Sequence, residues 1–297
     1  MTDISYTHYL IIEDGKVTDS HLSDFISYDN QTITLKKGQP IQLHVIIKMN
    51  HTVFDLNYVI EDQCIADIIE TRELNDAKLN RTLNIGADTH VNIFNENDSV
   101  NDKENIVTDQ GSVDREAVVQ VGYCELSDGD MNAHYHYNLN GSGADVRVRM
   151  AVLSKDNEKK YYEVLIKHNK PHTTGIMDNY GVVKDNGYLT LDGVGTITKG
   201  QHGSASHQTN KIMVFDEGCH ASANPFLYID DYDVQASHAA GVGKMDEDHL
   251  YYLQSRGLTK RRAMQLITYG YLQPVIEVVD NEMLKVRFEN ALQKVGA

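Results

Sequence analysis

Fourteen histidines are the first residues in this sequence that could do chemistry. His134 and His136 are separated only by Tyr135, in a strand-like stretch. Alternate residues of a strand point to the same face, so both imidazoles could reach one metal ion. The simpler interpretation is two polar residues on a solvated strand face. A metal-dependent β-fold enzyme that uses His134 and His136 with further His or Glu ligands therefore stays as an alternative hypothesis.

The three cysteines, Cys64, Cys124 and Cys219, are widely spaced and odd in number. They form neither a disulfide framework nor a CxxC zinc motif, and this usage fits a reducing cytoplasm. Cys64 and Cys124 lie in strand-like stretches and are expected to be small buried hydrophobes. Cys219 lies in a polar turn beside His220. Exposure and a neighbouring imidazolium lower the pKa of a thiol, so Cys219 is a candidate nucleophile or soft-metal ligand.

The charge balance limits the classes of partner. Lys and Arg number 27 against 43 Asp and Glu, which gives a formal net charge of −16. Binding to a nucleic acid backbone or to an anionic membrane needs clustered cations, so we expect neither partner. The sequence shows no apolar run of about 20 residues and no basic segment followed by an apolar one at its start. We therefore expect no membrane span and a cytoplasmic location.

Motifs for nucleotide binding and for common hydrolases are missing. There is no P-loop, GxGxxG, GxSxG, HExxH or EF-hand pattern. Gly193 and Gly195 flank Val194 but do not open a helix, so we expect tight turns or bulges there. The sequence thus predicts no nucleotide site of its own.

The elements that must position these residues are mostly short strands. From about residue 4 to 235, apolar residues come in bursts with a period of two, separated by turn residues. Many short strands without intervening helical patterns exclude a doubly wound sheet and a TIM barrel. A sandwich, a barrel and a parallel β-helix remain, and the lack of a clear hairpin for each pair favours a solenoid. Residues 95–116 are polar and acidic, and are expected to form a loop that crosses between coils.

After residue 245 the apolar period becomes helical. We expect a first helix over 246–256, ended by Gly257, and a second over 259–273 with Thr259 as its N-cap. Asp280 is expected to cap a third helix. The predicted architecture is an all-β body with C-terminal α-helices, whose apolar stripes pack on the body or on another chain.

Three segments near the C-terminus carry a family resemblance. They are Pro225-Phe226-Leu227-Tyr228-Ile229, then Asp233-Val234-Gln235-Ala236-Ser237-His238-Ala239-Ala240-Gly241-Val242-Gly243, and then Asp246-Glu247 followed by Tyr252-Leu253-Gln254-Ser255-Arg256-Gly257. Together they resemble the C-terminal core signature of the SufB/SufD family of iron–sulfur cluster assembly proteins. The resemblance is clearest from about residue 165 to 275. The chain looks like a short, SufD-like member without the long N-terminal helical region of standard members.

The resemblance implies a right-handed parallel β-helix with C-terminal helices. Residues 1–240 would form the β-helix core, and residues 241–297 the helical segment. Family members form homodimers or heterodimers by abutting their β-helices near this signature, and their C-terminal helices bind the ABC-type ATPase SufC. The docking residues that this implies are Leu250, Tyr251, Leu253, Arg256, Lys260, Arg261 and Arg262.

Two residues carry over from the cluster chemistry of the family. His238 matches the histidine that lies at the dimer interface of SufD-type members and is implicated in cluster formation. Cys219 falls where SufB-type members have the cysteine proposed to accept sulfur or to ligate the nascent cluster. Ala236 and Ala239 stand where a cysteine of SufD-type members and a glutamate of SufB-type members are expected, so one chain shows no complete ligand set. A two-fold interface would double Cys219 and His238.

The resulting hypothesis is a scaffold subunit of a SUF-type assembly system, not an enzyme by itself. It would work with a SufC-like ABC ATPase and hold a transient iron–sulfur cluster. Its partner in the dimer would be a second copy or a SufB-like chain. The alternative within the same fold is a shortened paralogue that keeps the dimer and docking surfaces without cluster chemistry.

Overall fold

The alternating bursts of the sequence form strands that stack as the coils of a solenoid. The computed structural model describes residues 4–294, apart from the side chains of 101, 102 and 294. In that part of the chain, nineteen strands make two sheets, and three α-helices with two 3₁₀ turns follow them. Residues 1–3 and 295–297, at the ends of the two expected domains, lie outside the described residues.

The strands are β1 (His8–Glu13), β2 (Lys16–His21), β3 (Ile26–Asp29), β4 (Thr32–Leu35), β5 (Ile41–Asn50), β6 (Val53–Ile60), β7 (Ile65–Asn75), β8 (Lys78–Ile85), β9 (His90–Asn97), β10 (Val100–Val113), β11 (Val118–Glu125), β12 (Asp128–Leu139), β13 (Asp145–Ser154), β14 (Lys159–His168), β15 (Thr174–Val183), β16 (Tyr188–Ile197), β17 (Ser204–Val214), β18 (His220–Ile229) and β19 (Val234–Lys244). The helices are α1 (Glu247–Ser255), α2 (Lys260–Leu272) and α3 (Glu282–Ala291), with 3₁₀ turns over Gln273–Val278 and Leu292–Lys294. Across residues 4–294, no helix has the length and apolar character needed to cross a membrane.

Consecutive strands after β4 alternate between the two sheets. Odd-numbered strands from β5 to β19 lie in one sheet and even-numbered strands from β6 to β18 in the other, each parallel to the strand one coil away. Ile41, for example, is opposite Ala66, and Thr174 is opposite Ala205. Hairpins cannot join parallel neighbours, so this register establishes a parallel β-helix. The predicted β-solenoid with a helical tail is confirmed.

The apolar core lies in two places. Inward-facing residues of both sheets fill the space between them, termed the lumen here, with aliphatic and tyrosine side chains. Outward-facing Phe94 and Cys124 of the odd-numbered sheet are covered by the helical tail, including Leu284 and Phe288 of α3. The tail therefore packs on one outer face of the β-helix. Cys64 and Cys124 are buried, as expected.

The prediction of a loop over 95–116 is wrong. β9 continues to Asn97, and β10 lies between β8 and β12 in its sheet. Asn105 and Asp109 of β10 are fully buried, and their side chains hydrogen-bond to Leu74 of β7 and Arg81 of β8. Because polar residues occupy these inward positions, the hydropathy alternation that identifies a strand is lost.

Local signals place most helix ends correctly. Asp246 caps α1 and Thr259 caps α2, each with a side-chain oxygen that accepts from a backbone N–H. Gly257 has a φ of 92°, as expected for the left-handed residue after a helix. The prediction that Asp280 caps the third helix is wrong. Asn281 has the extended backbone of an N-cap, and its Oδ1 accepts from two N–H groups of α3.

Four charged side chains form a buried cluster in the lumen. Glu70 and Arg72 of β7, Arg81 of β8 and Asp109 of β10 are at most 1% exposed. Arg72 Nε is 2.7 Å from Glu70 Oε1, Arg81 Nη1 is 3.2 Å from Glu70 Oε2, and Arg81 also pairs with Asp109. Burial acts to raise the pKa of both carboxyls, but the two guanidiniums outweigh it and lower these pKa values. The cluster is neutral overall and links two successive coils.

Candidate functional site at the open end of the β-helix

The two ends of the β-helix differ. At the N-terminal end, short strands β2 and β3 pair antiparallel with β1 and β4 and terminate the sheets. At the C-terminal end, β18 and β19 are the last strands of their sheets. No other strand of residues 4–294 covers their outer edges, so rows of backbone N–H and C=O groups stay open to pairing. These two strands and the loop between them are termed the open end.

The open end also exposes apolar side chains. Phe226, Tyr228 and Ile229 of β18 and Val242 of β19 are between 40% and 60% exposed, and Tyr232 in the loop is fully exposed. Exposed apolar groups on a sheet edge mark interaction surfaces. The first two of the three segments that carry the family resemblance lie on this uncovered edge, and the third lies on α1 and the residues that flank it.

His238 lies at the mouth of the lumen. It is opposite Gln208 in the register between β17 and β19, and Gln208 points into the lumen with 3% exposure. His238 therefore belongs to the inward-facing row of β19, but its side chain is exposed because β19 is the last strand of its sheet. A second chain placed on the open end would bury this imidazole.

Below the mouth, the lumen is polar. The amides of Gln208 and Asn210 donate to backbone carbonyl oxygens of β18 at 2.7 and 3.2 Å. Gly193 and Gly195 make room for these amides, since a Cβ at Gly193 would lie 2.8 Å from Asn210 Nδ2 and a Cβ at Gly195 would lie 2.8 Å from Gln208 Nε2. The prediction of turns or bulges at these glycines is wrong, because both lie inside β16 and face the lumen.

Cys219 lies in the turn that precedes β18. Its Sγ is 3.5 Å from the carbonyl oxygen of Asp185, and its side chain packs partly against the lumen core. Burial is the main cause that raises the pKa of this thiol. The imidazole of His220 instead stacks on Tyr188, with ring centroids 4.3 Å apart. The expectation of an exposed thiol is thus not met in the single chain, where Cys219 is partly buried. Cys219 directly precedes a strand of one sheet, whereas His238 lies on a strand of the other.

The predicted docking residues lie on α1, at Arg256 directly after it, and on the first turn of α2. Tyr251 and Arg256 are exposed, whereas Leu253 is half-buried and Leu250 is only 9% exposed. Leu250 is therefore mainly a packing residue. A shallow, largely apolar groove lies between the two helices, and among the residues that line it are Tyr252, Leu253, Leu266, Ile267 and Tyr271.

A basic cluster of Lys260, Arg261 and Arg262 occupies the first turn of α2 and is exposed. That turn contains no acidic residue. The N-terminus of a helix carries partial positive charge, so three cations there oppose the helix dipole and destabilise α2.

His134 and His136 acquire a third neighbour from the next coil. Both project from β12, and Glu163 of β14 is opposite His134 in the register. Glu163 Oε1 is 3.2 Å from His134 Nδ1 and 2.6 Å from His136 Nε2. Partial burial acts to raise the pKa of Glu163, but hydrogen bonds from His136 and His134 outweigh it and lower this pKa. Sequence reasoning missed Glu163 because only the register shows which residue of the next coil lies beside the pair.

The stack of coils coincides with a known domain. Residues 45–271 match the SufBD core domain of SUF system iron–sulfur cluster assembly. The chain belongs to the SufB/SufD family. The match begins in β5 and ends in α2, so it includes the open end, α1 and the basic cluster, and it extends well before the range in which the SufB/SufD signature is clearest.

SufD proteins are among the relatives of this SufB/SufD chain. The iron–sulfur cluster assembly protein SufD of Bacillus subtilis (strain 168) is 30% identical over 169 residues, which cover 57% of this chain and 39% of the Bacillus protein. SufD of Escherichia coli (strain K12) is 26% identical over 151 residues, which cover 51% of this chain and 35% of that protein. SufB of the same Bacillus strain is 24% identical over 132 residues, which cover 42% of this chain and 28% of that protein. The chain thus matches less than half the length of each of these relatives.

Proposed function

We propose that this SufB/SufD chain is a scaffold subunit of a SUF-type iron–sulfur cluster assembly system. The open end carries the proposal. It has two strands of 10 and 11 residues with unpaired edges, exposed aromatic side chains and His238 at the mouth of the lumen. A single chain leaves these edges free to aggregate, whereas a second β-helix abutted on them covers them. The scaffold performs no catalysis of its own in this proposal.

The partner at the open end is a second copy of the chain or a SufB-like chain. A two-fold axis there brings His238 and Cys219 from both subunits to one interface. Imidazole and thiolate are suitable ligands for iron, and an iron–sulfur cluster is the cargo assembled between the subunits. Ala236 and Ala239 offer no ligand, so the remaining ligands of the cluster come from the second subunit.

The second partner is a SufC-like ABC ATPase in the cytoplasm. The groove between α1 and α2 offers apolar contact, and the adjoining cluster of Lys260, Arg261 and Arg262 offers charge. Apolar anchors beside a charged rim are typical of protein interfaces. ATP hydrolysis belongs to that partner, since the sequence contains no nucleotide-binding motif.

Sedimentation velocity tests the dimer. We expect the wild-type chain to dimerise, alone or with a SufB-like chain, and Val242→Lys to weaken the dimer at least tenfold because it buries an unpaired charge at the interface. Val53→Lys is the matched control, since Val53 is 69% exposed on β6, far along the chain from the open end. A wild-type chain that stays monomeric both alone and with a SufB-like chain contradicts the proposal. Equal dimerisation of Val242→Lys and Val53→Lys contradicts it as well.

Anaerobic reconstitution with Fe²⁺ and sulfide tests cluster assembly. We expect the dimer to develop visible absorbance that Cys219→Ser abolishes and that a Cys64→Ala variant keeps, because Cys64 is buried in the core. Unchanged absorbance in Cys219→Ser would show that this thiol does not hold the cluster.

A paralogue without cluster chemistry is the second candidate. Ala236 and Ala239 in place of ligands, and the burial that raises the pKa of Cys219, favour it. The two candidates separate in the same experiments. The paralogue would dimerise and bind the ATPase but develop no absorbance.

A further inference from the structure

We propose that His134, His136 and Glu163 form a binding site for a divalent first-row transition ion of the Zn²⁺ or Fe²⁺ type on the outer face of the β-helix. The three side chains project from the even-numbered sheet, on β12 and β14. The open end begins two strands further along that sheet, at β18. The site is therefore separate from Cys219 and His238, and the proposal does not depend on cluster assembly.

The geometry brings three ligand atoms together. One nitrogen from each imidazole and one carboxylate oxygen all lie within 4.8 Å of one another. Bonds of about 2.0–2.2 Å from a tetrahedral ion place ligand atoms about 3.3 Å apart. The separation of 3.2 Å between His134 Nδ1 and Glu163 Oε1 already has that value. The 2.6 Å contact between His136 Nε2 and Glu163 Oε1 is a hydrogen bond, which the ion replaces when it displaces the proton.

The ligands are held by rigid elements. β12 and β14 are interior strands of a nine-stranded sheet, so the backbone on either side is fixed by ladders of hydrogen bonds. The side chains of His134, His136 and Glu163 are 35%, 25% and 24% exposed, respectively. One side of the site is thus supported by protein, and the other is open to water. Two imidazoles and one carboxylate with free positions are the ligand set of catalytic zinc sites and non-haem iron sites.

The surroundings fit an ion as well. Gln110 Nε2 is 3.1 Å from His136 Nδ1. A rotation of the Gln110 amide by 180° would let its Oε1 accept the Nδ1 proton of His136, while the Nε2 of His136 binds the ion. Asp192 is opposite Glu163 on β16, where its carboxylate accepts from Tyr161 and Asn224. A second carboxylate in the next coil strengthens the negative potential that attracts a cation.

Isothermal titration of the metal-free full-length chain with Co²⁺, Zn²⁺ and Mg²⁺ tests the site, and Fe²⁺ is titrated under anaerobic conditions. We expect one Co²⁺ or Zn²⁺ to bind at this site and Mg²⁺ not to compete, because imidazole prefers transition ions. Bound Co²⁺ should give the weak visible bands of nitrogen and oxygen ligands, without the strong near-ultraviolet band of a thiolate. Glu163→Gln and His136→Ala should each raise the Kd more than tenfold, and Gln110→Leu about tenfold.

Two controls make the result specific. His90→Ala removes an exposed histidine from β9, in the other sheet, and should leave the Kd unchanged. Cys219→Ser should keep the Co²⁺ spectrum, so that failure of the cluster proposal and failure of this one are distinguishable. Circular dichroism confirms that each variant folds. Absence of Co²⁺ and Zn²⁺ binding, equal competition by Mg²⁺, or an unchanged Kd in both Glu163→Gln and His136→Ala would overturn the assignment.

Discussion

At the scale of single residues, the charged cluster in the lumen holds four ionisable side chains away from water. Asp109 and Glu70 each face both Arg72 and Arg81, and all four side chains are almost wholly excluded from water. Such a cluster is weakly stabilising when complete, because desolvation offsets the attraction between the charges. Removing one charge leaves the others buried and uncompensated. The cluster therefore makes the fold sensitive to single substitutions.

We expect Asp109→Asn to lower the free energy of unfolding by about 3–5 kcal/mol, since two guanidiniums would then face one carboxylate in the lumen. Asp88→Asn is the matched control. Asp88 pairs with Arg115, but their side chains are 36% and 56% exposed, so the loss should stay below about 1 kcal/mol. Urea denaturation followed by circular dichroism measures both. Equal losses in the two variants would show that the lumen cluster is no more costly to break than a surface pair.

Two buried histidines predict a dependence of stability on pH. Burial lowers the pKa of His168 to about 4, and burial together with the charge of Arg287 lowers that of His44 to about 3. The unfolded chain takes up these protons near pH 6.5 and the folded chain does not. Stability is therefore complete above about pH 6.5 and falls as the pH decreases towards 4, by at most about 3 kcal/mol per histidine.

His168→Leu should remove part of this dependence. The Nδ1 of His168 contacts the hydroxyl of Thr173 at 2.8 Å, and that hydroxyl keeps its bonds to Lys170 and Ser204 in the variant. We expect the loss of stability between pH 6.5 and 4 to be smaller in the variant than in wild type by up to about 3 kcal/mol, which is the contribution of His168. Taking the difference between the two proteins cancels the contribution of Glu96, whose raised pKa acts in the opposite direction. Identical slopes would exclude His168 as a source of the pH dependence.

At the scale of elements, the three cations in the first turn of α2 form a charged surface and lower the stability of this helix. We expect Arg262→Glu to stabilise the chain by about 0.5–1 kcal/mol, since it places an acidic residue three positions after the Thr259 N-cap and completes a capping box. The same change should weaken binding to the proposed ATPase at least tenfold. Thermal denaturation and a pull-down measure the two effects. Lys16→Glu, an equal change of charge on exposed β2, should alter neither. If Arg262→Glu lost both stability and binding to the ATPase, Arg262 would have only a structural role.

The elements also show why sequence reasoning succeeded in some coils and failed in others. Strands are recognisable where inward positions are apolar, as in β5, and unrecognisable where Asn105 and Asp109 occupy those positions. Gly193 and Gly195 were expected in turns because a glycine pair carries no sign that it makes room for amides one coil away. Glu163 was missed for the same reason. These three failures concern contacts between coils, whose register depends on coil lengths that a single sequence does not reveal.

At the scale of the whole molecule, the β-helix is a one-dimensional stack in which each coil is stabilised mainly by its neighbours. An inner coil has two neighbours, whereas the coil that ends in β18 and β19 has a neighbouring strand on only one side in each sheet. Local opening should therefore be easiest at the open end and hardest around the lumen cluster of β7, β8 and β10. Association at the open end would supply the missing neighbouring strands and make local opening of the last coil harder.

Amide hydrogen exchange at two protein concentrations tests this view of the molecule. In dilute protein, peptides from β18 and β19 should exchange faster than those from β7 to β10, since their outer edges lack partners. At concentrations that favour the dimer, exchange in β18 and β19 should slow at least tenfold, while the N-terminal hairpin strands β2 and β3 should not change. Val242→Lys provides the control, because it should hold the open end in its fast-exchanging state at both concentrations. Slow exchange of β18 and β19 in a chain shown to be monomeric would mean that the last coil is stable alone. That result would contradict the inference that the open end needs a partner.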